Sequence, residues 1–212
     1  MNIDNQQQYW NEVAELKTFT HPLNIGLLDG YLNKQSKILD FGCGYGRLVK
    51  ELSDHAFENV VGYDTSKELI NRGRRENNLP VFHIETPADL PVGSNSIDGI
   101  LLFAVLTCIP SNKAQTELLA LLHSKLKPGG IIYISDYYLQ NNSAEVERYG
   151  YLDDDIHNYG VFNLPEGATF RHHSKEWIRE LTKEFTILYE KPLEVITMNG
   201  HKANGFQLVG QK

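Results

Sequence analysis

Seven consecutive residues, Asp40-Phe41-Gly42-Cys43-Gly44-Tyr45-Gly46, combine an acid with glycines at alternate positions. Glycines directly after an apolar run let the backbone turn tightly and approach a ligand with no side chain in between. The run before them, Lys37-Ile38-Leu39-Asp40-Phe41, reads as a buried strand. The loop therefore falls at the carboxyl edge of a sheet, where open α/β folds bind their ligands. A second apolar run, Asn59 to Tyr63, ends in Asp64, and 64 − 42 puts that acid 22 residues after Gly42. An acid about 20 residues beyond the first glycine is placed to accept hydrogen bonds from both hydroxyls of a ribose. Loop and acid together describe a nucleotide site.

The glycine spacing narrows the nucleotide. A dinucleotide fingerprint puts its third glycine five positions after the first, against the pyrophosphate. That position here is Arg47, and the third glycine is Gly46, so a nicotinamide-dependent oxidoreductase is disfavoured. Asp40 beside the loop would repel a pyrophosphate and attract an ammonium group. The preferred ligand is an adenosine carrying a cationic amino-acid arm. Cys43, between two glycines, fills space beside it and is not expected to react. Arg47 opens a helix where its charge opposes the dipole, and reads as a solvated residue.

The elements that must position these residues alternate. After the first two strands come Pro80 to Ile84, Ile97 to Phe103 and Ile131 to Ile134, apolar runs without polar alternation that fit strands covered on both faces. Thr65-Ser66-Lys67-Glu68 has capping-box spacing, so a helix begins just after Asp64. Leu118, Leu121, Leu122 and Leu126 form one helical face that stops at Lys127-Pro128-Gly129-Gly130, with glycine as the left-handed cap. Later, Ser174 caps a helix through Trp177, Ile178 and Leu181. Phe185 to Glu190, Leu193 to Met198 and Phe206 to Val209 read as strands, with Asn199-Gly200 and Asn204-Gly205 bracketing the last turn. The fold expected is α/β: a doubly wound, mostly parallel sheet ending in an antiparallel C-terminal hairpin.

The chain has 212 residues, enough for one domain, with 20 Lys and Arg against 27 Asp and Glu and a net charge of −7. That balance disfavours a nucleic-acid partner, which needs a basic footprint. Hydrophobic residues at 41% and charged residues at 22% exclude a disordered chain. Two cysteines, Cys43 and Cys108, cannot build a disulfide framework. No apolar run approaches a bilayer-spanning length, and the polar start is no signal peptide, so a cytoplasmic protein without membrane partners is expected. It would be a monomer or a homodimer.

Across residues 37 to 136 the chain resembles the class I S-adenosylmethionine-dependent methyltransferases, whose fold is Rossmann-like. Asp40 to Gly46 matches that family's first motif and Gly62-Tyr63-Asp64 its acidic second. Asp89-Leu90-Pro91 with Asn95-Ser96-Ile97-Asp98 is similar to its adenine-side loop and fourth strand, and Lys127-Pro128-Gly129-Gly130 to the turn before its fifth. The resemblance implies S-adenosylmethionine as cofactor. Asp40, Gly42, Cys43, Gly44 and Gly46 would hold the methionine arm, and Asp64 with Thr65 the ribose edge. Phe103 and Ala104 would lie near the transferred methyl. Where many members carry an acid followed by alanine, this chain has Glu85-Thr86-Pro87-Ala88, leaving Thr86, Ala88 or a backbone group to meet the adenine.

The expected plan is one methyltransferase domain: an N-terminal lid over about 1–35, a cofactor core over 36–136, a substrate cap over 137–173 and a C-terminal helix and hairpin over 174–212. In the lid, Tyr9 is expected to touch the cofactor and Trp10 to pack; His21 also precedes the first strand. The cap carries many aromatic residues, with His172 or His173 as candidate base, and Cys108 is a candidate for the substrate wall. Asp153-Asp154-Asp155 with His157 reads as a solvated loop before it reads as a metal site, and no metal is expected. The acceptor expected is a small molecule offering an O, N or S atom. The alternatives are a protein acceptor, or a sensor or assembly subunit that binds the cofactor without turning it over.

Overall fold

The computed structural model describes residues 4–152 and 158–212. Two short N-terminal helices, α1 (Gln7–Glu12) and α2 (Ile25–Leu28), precede the sheet. Then strands and helices alternate: β1 (Lys37–Phe41), α3 (Arg47–Asp54), β2 (Asn59–Asp64), α4 (Lys67–Asn77), β3 (Val81–His83), β4 (Ile97–Phe103), α5 (Asn112–Lys125) and β5 (Leu126–Tyr137). A cap follows, with α6 (Ser143–Arg148), β6 (Val161–Asn163) and β7 (Thr169–Arg171). The chain finishes with α7 (Lys175–Leu181), β8 (Thr186–Ile196) and β9 (Lys202–Gln211).

Seven strands form one sheet in the order β3-β2-β1-β4-β5-β9-β8. The first five are parallel, and β9 pairs antiparallel with both β5 and β8. Neighbouring residues on a strand bury against opposite layers, which is why the strands read as unbroken apolar runs. Leu39, Ile100, Leu102, Ile132 and Ile134 pack with Leu118 and Leu122 of α5 and Ile178 and Leu181 of α7. Ile38, Leu101, Phe103, Ile131 and Tyr133 pack with Leu48, Val49 and Leu52 of α3. The strand order reverses direction between β1 and β4, so a crevice opens beyond their carboxyl ends.

Several local expectations shift. The α4 cap is Ser66, whose side chain accepts from Leu69 N, and not Thr65 one residue earlier. Asp64 causes the offset, because its carboxylate holds Ser66 N at 2.7 Å. Helix α5 ends at Lys125 with Leu126 already extended; Gly129, at φ +79°, lies within the irregular start of β5 and caps nothing. The two tail strands expected over 185–190 and 193–198 are a single strand, β8, running through Lys191 and Pro192. It is the outermost strand, where proline's missing N–H is tolerated. Asn199-Gly200 makes the hairpin turn, with Gly200 at φ +82°, but Asn204-Gly205 lies inside β9. Gly205 is needed there because a Cβ would stand 2.9 Å from Asp136 O. The β6–β7 pair within the cap had no signal in the sequence.

Candidate functional site

The glycine loop turns where β1 ends, with Gly42, Gly44 and Gly46 at φ +71°, +56° and +80°, values that favour glycine. Gly42 N and Cys43 N donate to Tyr63 O at 2.8 and 3.2 Å, tying the loop to the end of β2. Asp64, at that end, accepts from Gly44 N at 2.8 Å through Oδ2 and from Ser66 N through Oδ1. Burial raises its pKa, and the two backbone N–H groups oppose the rise. Asp40 is buried just before the loop, and its Oδ2 has no hydrogen-bond partner. Burial pushes its pKa up to about 7, against the pull of nearby Arg47 and with a push from Asp64.

These residues line a cavity of about 240 Å³ at the carboxyl edge of the sheet. Its far wall is built from Phe103 at the end of β4, Ala104, Thr107 and Cys108 in the segment that follows, and Tyr137 at the end of β5. Ala104 is held at φ +53°, a conformation rare for a residue with a side chain, by donating to Ser135 O at 2.7 Å. Cys108 Sγ lies 3.3 Å from Ala104 O, and burial lifts its thiol pKa well above the ordinary value.

The N-terminal segment forms a strap across the opening. Ser111 N and Oγ donate to Asp4 at 2.9 and 2.7 Å. Asn5 Nδ2 donates to Glu85 O at 3.1 Å. Gln6 Nε2 donates to Cys108 O and Thr169 O, while its Oε1 accepts from Thr169 N at 2.7 Å. Gln7 Nε2 donates to Thr65 O at 2.7 Å, and Asn11 Oδ1 accepts from Ser66 Oγ at 2.8 Å. These polar side chains hold the strap at the turn before α4, beside Glu85, at Cys108 and Ser111, and on β7. Tyr9 stands on the wall with its hydroxyl unpartnered, burial pushing its pKa up to about 12. Trp10 packs as expected, stacked on Phe170 at 6.0 Å, and also reaches the wall. Farther along, Phe19 stacks on Tyr45 at 5.0 Å.

His21, His172 and His201 line the cavity, and His173 lies just behind it. His172, on the wall, has Nδ1 2.6 Å from Tyr149 OH, and that hydroxyl accepts from Gln140 N at 3.0 Å. Burial, with Arg148 adding to it, lowers its pKa to about 3. His173 stands behind the wall, its Nε2 2.9 Å from Gln115 Nε2 and its Nδ1 3.2 Å from Tyr137 O. Complete burial holds its pKa well below the usual value. His21 is on the wall with Nδ1 3.0 Å from Ser135 Oγ and Nε2 unpartnered.

Asp40, Gly42, Cys43, Asp64, Thr65, Phe103, Ala104, Tyr9 and His172 therefore share one cavity. Gly44 and Gly46 face inward: Phe19 covers the first, and a Cβ on the second would stand 2.8 Å from Leu79 and Val81. Thr86 and Ala88 are off the wall, where Pro87 takes their place; the Thr86 hydroxyl donates to Asp89 at 2.8 Å. Arg47 is not solvated, because it donates to His21 O and to Glu51 Oε2 at 3.2 Å. The acidic run Asp153 to Asp155 with His157 lies outside the described residues. Phe19, Gln6 and Ser135 were missed: nothing local marks a residue whose partner is 26 positions away, as for Phe19, or more than a hundred, as for Gln6 and Ser135.

A family model described as a methyltransferase domain matches residues 13–185. A ribosomal protein L11 methyltransferase of Shewanella pealeana is 30% identical over 173 residues, 76% of this chain and 51% of its own length. A carboxy-S-adenosyl-L-methionine synthase of Shewanella sediminis is 29% identical over 116 residues, 50% of this chain and 46% of its own. The chain spans about half the length of the curated relatives it matches. The crystal structure of an S-adenosylmethionine-dependent methyltransferase from Methanosarcina mazei, 25% identical, matches with a TM-score of 0.78 over 88% of this chain and 96% of that one. With its sheet order, its glycine loop and a family match over most of its length, this chain belongs to the methyltransferase-domain family, in the class I S-adenosylmethionine-dependent division that its motifs resemble.

Proposed function

We propose that this protein, as a single domain over 1–212, is a methyltransferase that uses S-adenosylmethionine to methylate an O, N or S atom of a small molecule. The observation that carries the reading is Asp40 Oδ2, a carboxylate oxygen buried at the head of the glycine loop with no partner. A buried anion left alone is unfavourable, and a ligand ammonium group relieves it. Asp64 keeps two lone pairs beyond those facing Gly44 and Ser66, enough for two ribose hydroxyls.

Bound there, the cofactor supplies a methyl group on a sulfonium, which is already a good leaving group. The chain supplies alignment and dryness. Asp40, Gly42 and Cys43 cradle the amino-acid arm, Asp64 and Thr65 orient the ribose, and Ile84 and Pro87 flank the adenine in place of Thr86 or Ala88. Phe103 and Ala104 form the floor beside the reacting carbon. Strap and cap together exclude water and hold the acceptor in line. A small acceptor follows from that closure, since a protein chain would have to part the strap from Ser111 and Thr169. A net charge of −7 weighs against a nucleic acid.

Calorimetric titration with S-adenosylmethionine, S-adenosylhomocysteine and NAD tests this. Micromolar binding of the two sulfur compounds and none of NAD is expected. No heat with either sulfur compound would overturn the reading. Methyl release to an acceptor panel then separates an enzyme from a binder that does not turn over.

A further inference from the structure

We infer that His21 is the residue that meets the methyl acceptor, and that the acceptor is a small planar molecule presenting an O–H or N–H to its Nε2. This deepens the methyltransferase reading and rests on it. His21 is buried on the cavity wall, with one ring nitrogen 3.0 Å from Ser135 Oγ and the other without a partner.

The sheet separates this histidine from the cofactor's amino-acid end. Asp40 is on β1, Ser135 is on β5, and β4 lies between them. Strands repeat every 4.8 Å or so, which sets the two anchors about 10 Å apart. Ser135 also accepts from Ala104 N, so the serine that seats His21 fixes the end of β4, where the reacting carbon would lie. Tyr137 stands edge-on to His21 at 4.6 Å and inclines toward His172 at 5.2 Å, giving this part of the wall flat faces suited to a planar guest.

His172 Nδ1 faces the Tyr149 hydroxyl, and His173 does not reach the cavity. His201 also lines the cavity but is exposed to solvent, so it offers no dry, fixed acceptor. Burial keeps His21 neutral, with Arg47 pushing the same way, so the ring is an acceptor without first having to lose a proton. We assign the ring proton to Nδ1, donated to Ser135 Oγ, because a buried acceptor without a partner is tolerated better than a buried N–H. In the transfer, the acceptor's lone pair forms the bond to the methyl carbon and the carbon–sulfur pair stays on sulfur. As that bond forms the acceptor becomes strongly acidic, so its proton passes to Nε2 even though burial lowers the ring's pKa to about 3, and the imidazolium returns it to water when product leaves.

The test is nitrogen NMR of the histidine rings in the full chain saturated with S-adenosylhomocysteine. The His21 signals are identified by their loss in His21→Gln. The Nε2 signal is expected to be of the unprotonated type. It should move on adding 4-nitrophenol or benzimidazole and hold still with 4-nitroanisole or 1-methylbenzimidazole. His21→Gln should bind S-adenosylmethionine as the parent does and lose turnover by roughly 10²- to 10⁴-fold, the range of general-base catalysis. A signal that moves with S-adenosylhomocysteine alone would assign His21 to the cofactor and overturn the inference. So would one that answers methylated and unmethylated probes alike, or neither. Failure of S-adenosylhomocysteine to bind at all would instead defeat the methyltransferase reading.

Discussion

Phe19 occupies the space above Gly44: a Cβ added to the glycine would collide with the edge of the phenylalanine ring at Cε2. The ring is fixed by stacking on Tyr45 at 5.0 Å and by the bond from Phe19 N to Tyr45 OH at 3.1 Å. The glycine loop is thus shaped from outside by the N-terminal segment as well as from below by the sheet.

Gly44→Ala should therefore destabilise the protein twice over, through φ +56° and through the collision. The backbone part alone is worth about 1–2 kcal/mol. Adding Phe19→Ala should recover the steric part but not the backbone part. Thermal denaturation of both variants checks this; equal melting temperatures would show that the ring yields freely.

Asp64→Ala removes the acceptor assigned to the ribose hydroxyls and should weaken S-adenosylhomocysteine binding by about 2–3 kcal/mol. The same change frees Gly44 N and Ser66 N, so some loss of stability accompanies it. Calorimetry well below the melting temperature separates the two effects.

Asp40 makes the unliganded protein sensitive to pH. Its folded pKa is raised from 3.8 to about 7, so between those values the folded state holds a proton that the unfolded state has lost. Stability from this residue is complete below about pH 4 and falls as pH rises through 7. Asp40→Asn should be the more stable protein at pH 8, by an amount that shrinks toward pH 4, while binding the cofactor less well. Denaturant midpoints of both proteins across that window measure it; a constant difference would contradict the assignment.

Gln6 clamps the strap to both Cys108 and Thr169. Gln6→Ala deletes three hydrogen bonds, each worth about 1 kcal/mol net. The strap should open more often and cofactor dissociation should quicken about ten-fold or more, which stopped-flow competition would read.

His173, fully buried between Gln115 and Tyr137, should matter to the fold. His173→Ala leaves buried polar groups unpaired at a cost of about 2–3 kcal/mol. The melting temperature should drop with cofactor affinity kept.

Much of this was legible in advance because it is local. Loop, preceding strand and Asp64 are specified by neighbours in sequence, and β1 and β2 begin and end where their residues say. Apart from the α4 cap, moved by its near neighbour Asp64, several expectations gave way where a tertiary contact overrides a local signal. Asn204-Gly205 has the composition of a turn, yet the glycine serves a close approach to Asp136 O. Pro192 reads as a break, yet an outermost strand absorbs it. Thr86 was a fair candidate for the adenine until Asp89 took its hydroxyl. A lid over the first 35 residues was expected, but its polar anchors were illegible for the same reason: Asp4 and Gln6 mean little until Ser111 and Thr169 are beside them.

The outermost strand has one more consequence. An eleven-residue edge carrying Ile187, Leu188 and Ile196 exposed is the kind of border along which sheets of separate molecules fuse into fibres. Pro192 sits mid-strand with no N–H to offer a newcomer, and Glu190, Lys191 and Glu194 surround it with charge. The residue that breaks the strand pattern in the sequence is also the one that keeps the sheet from growing.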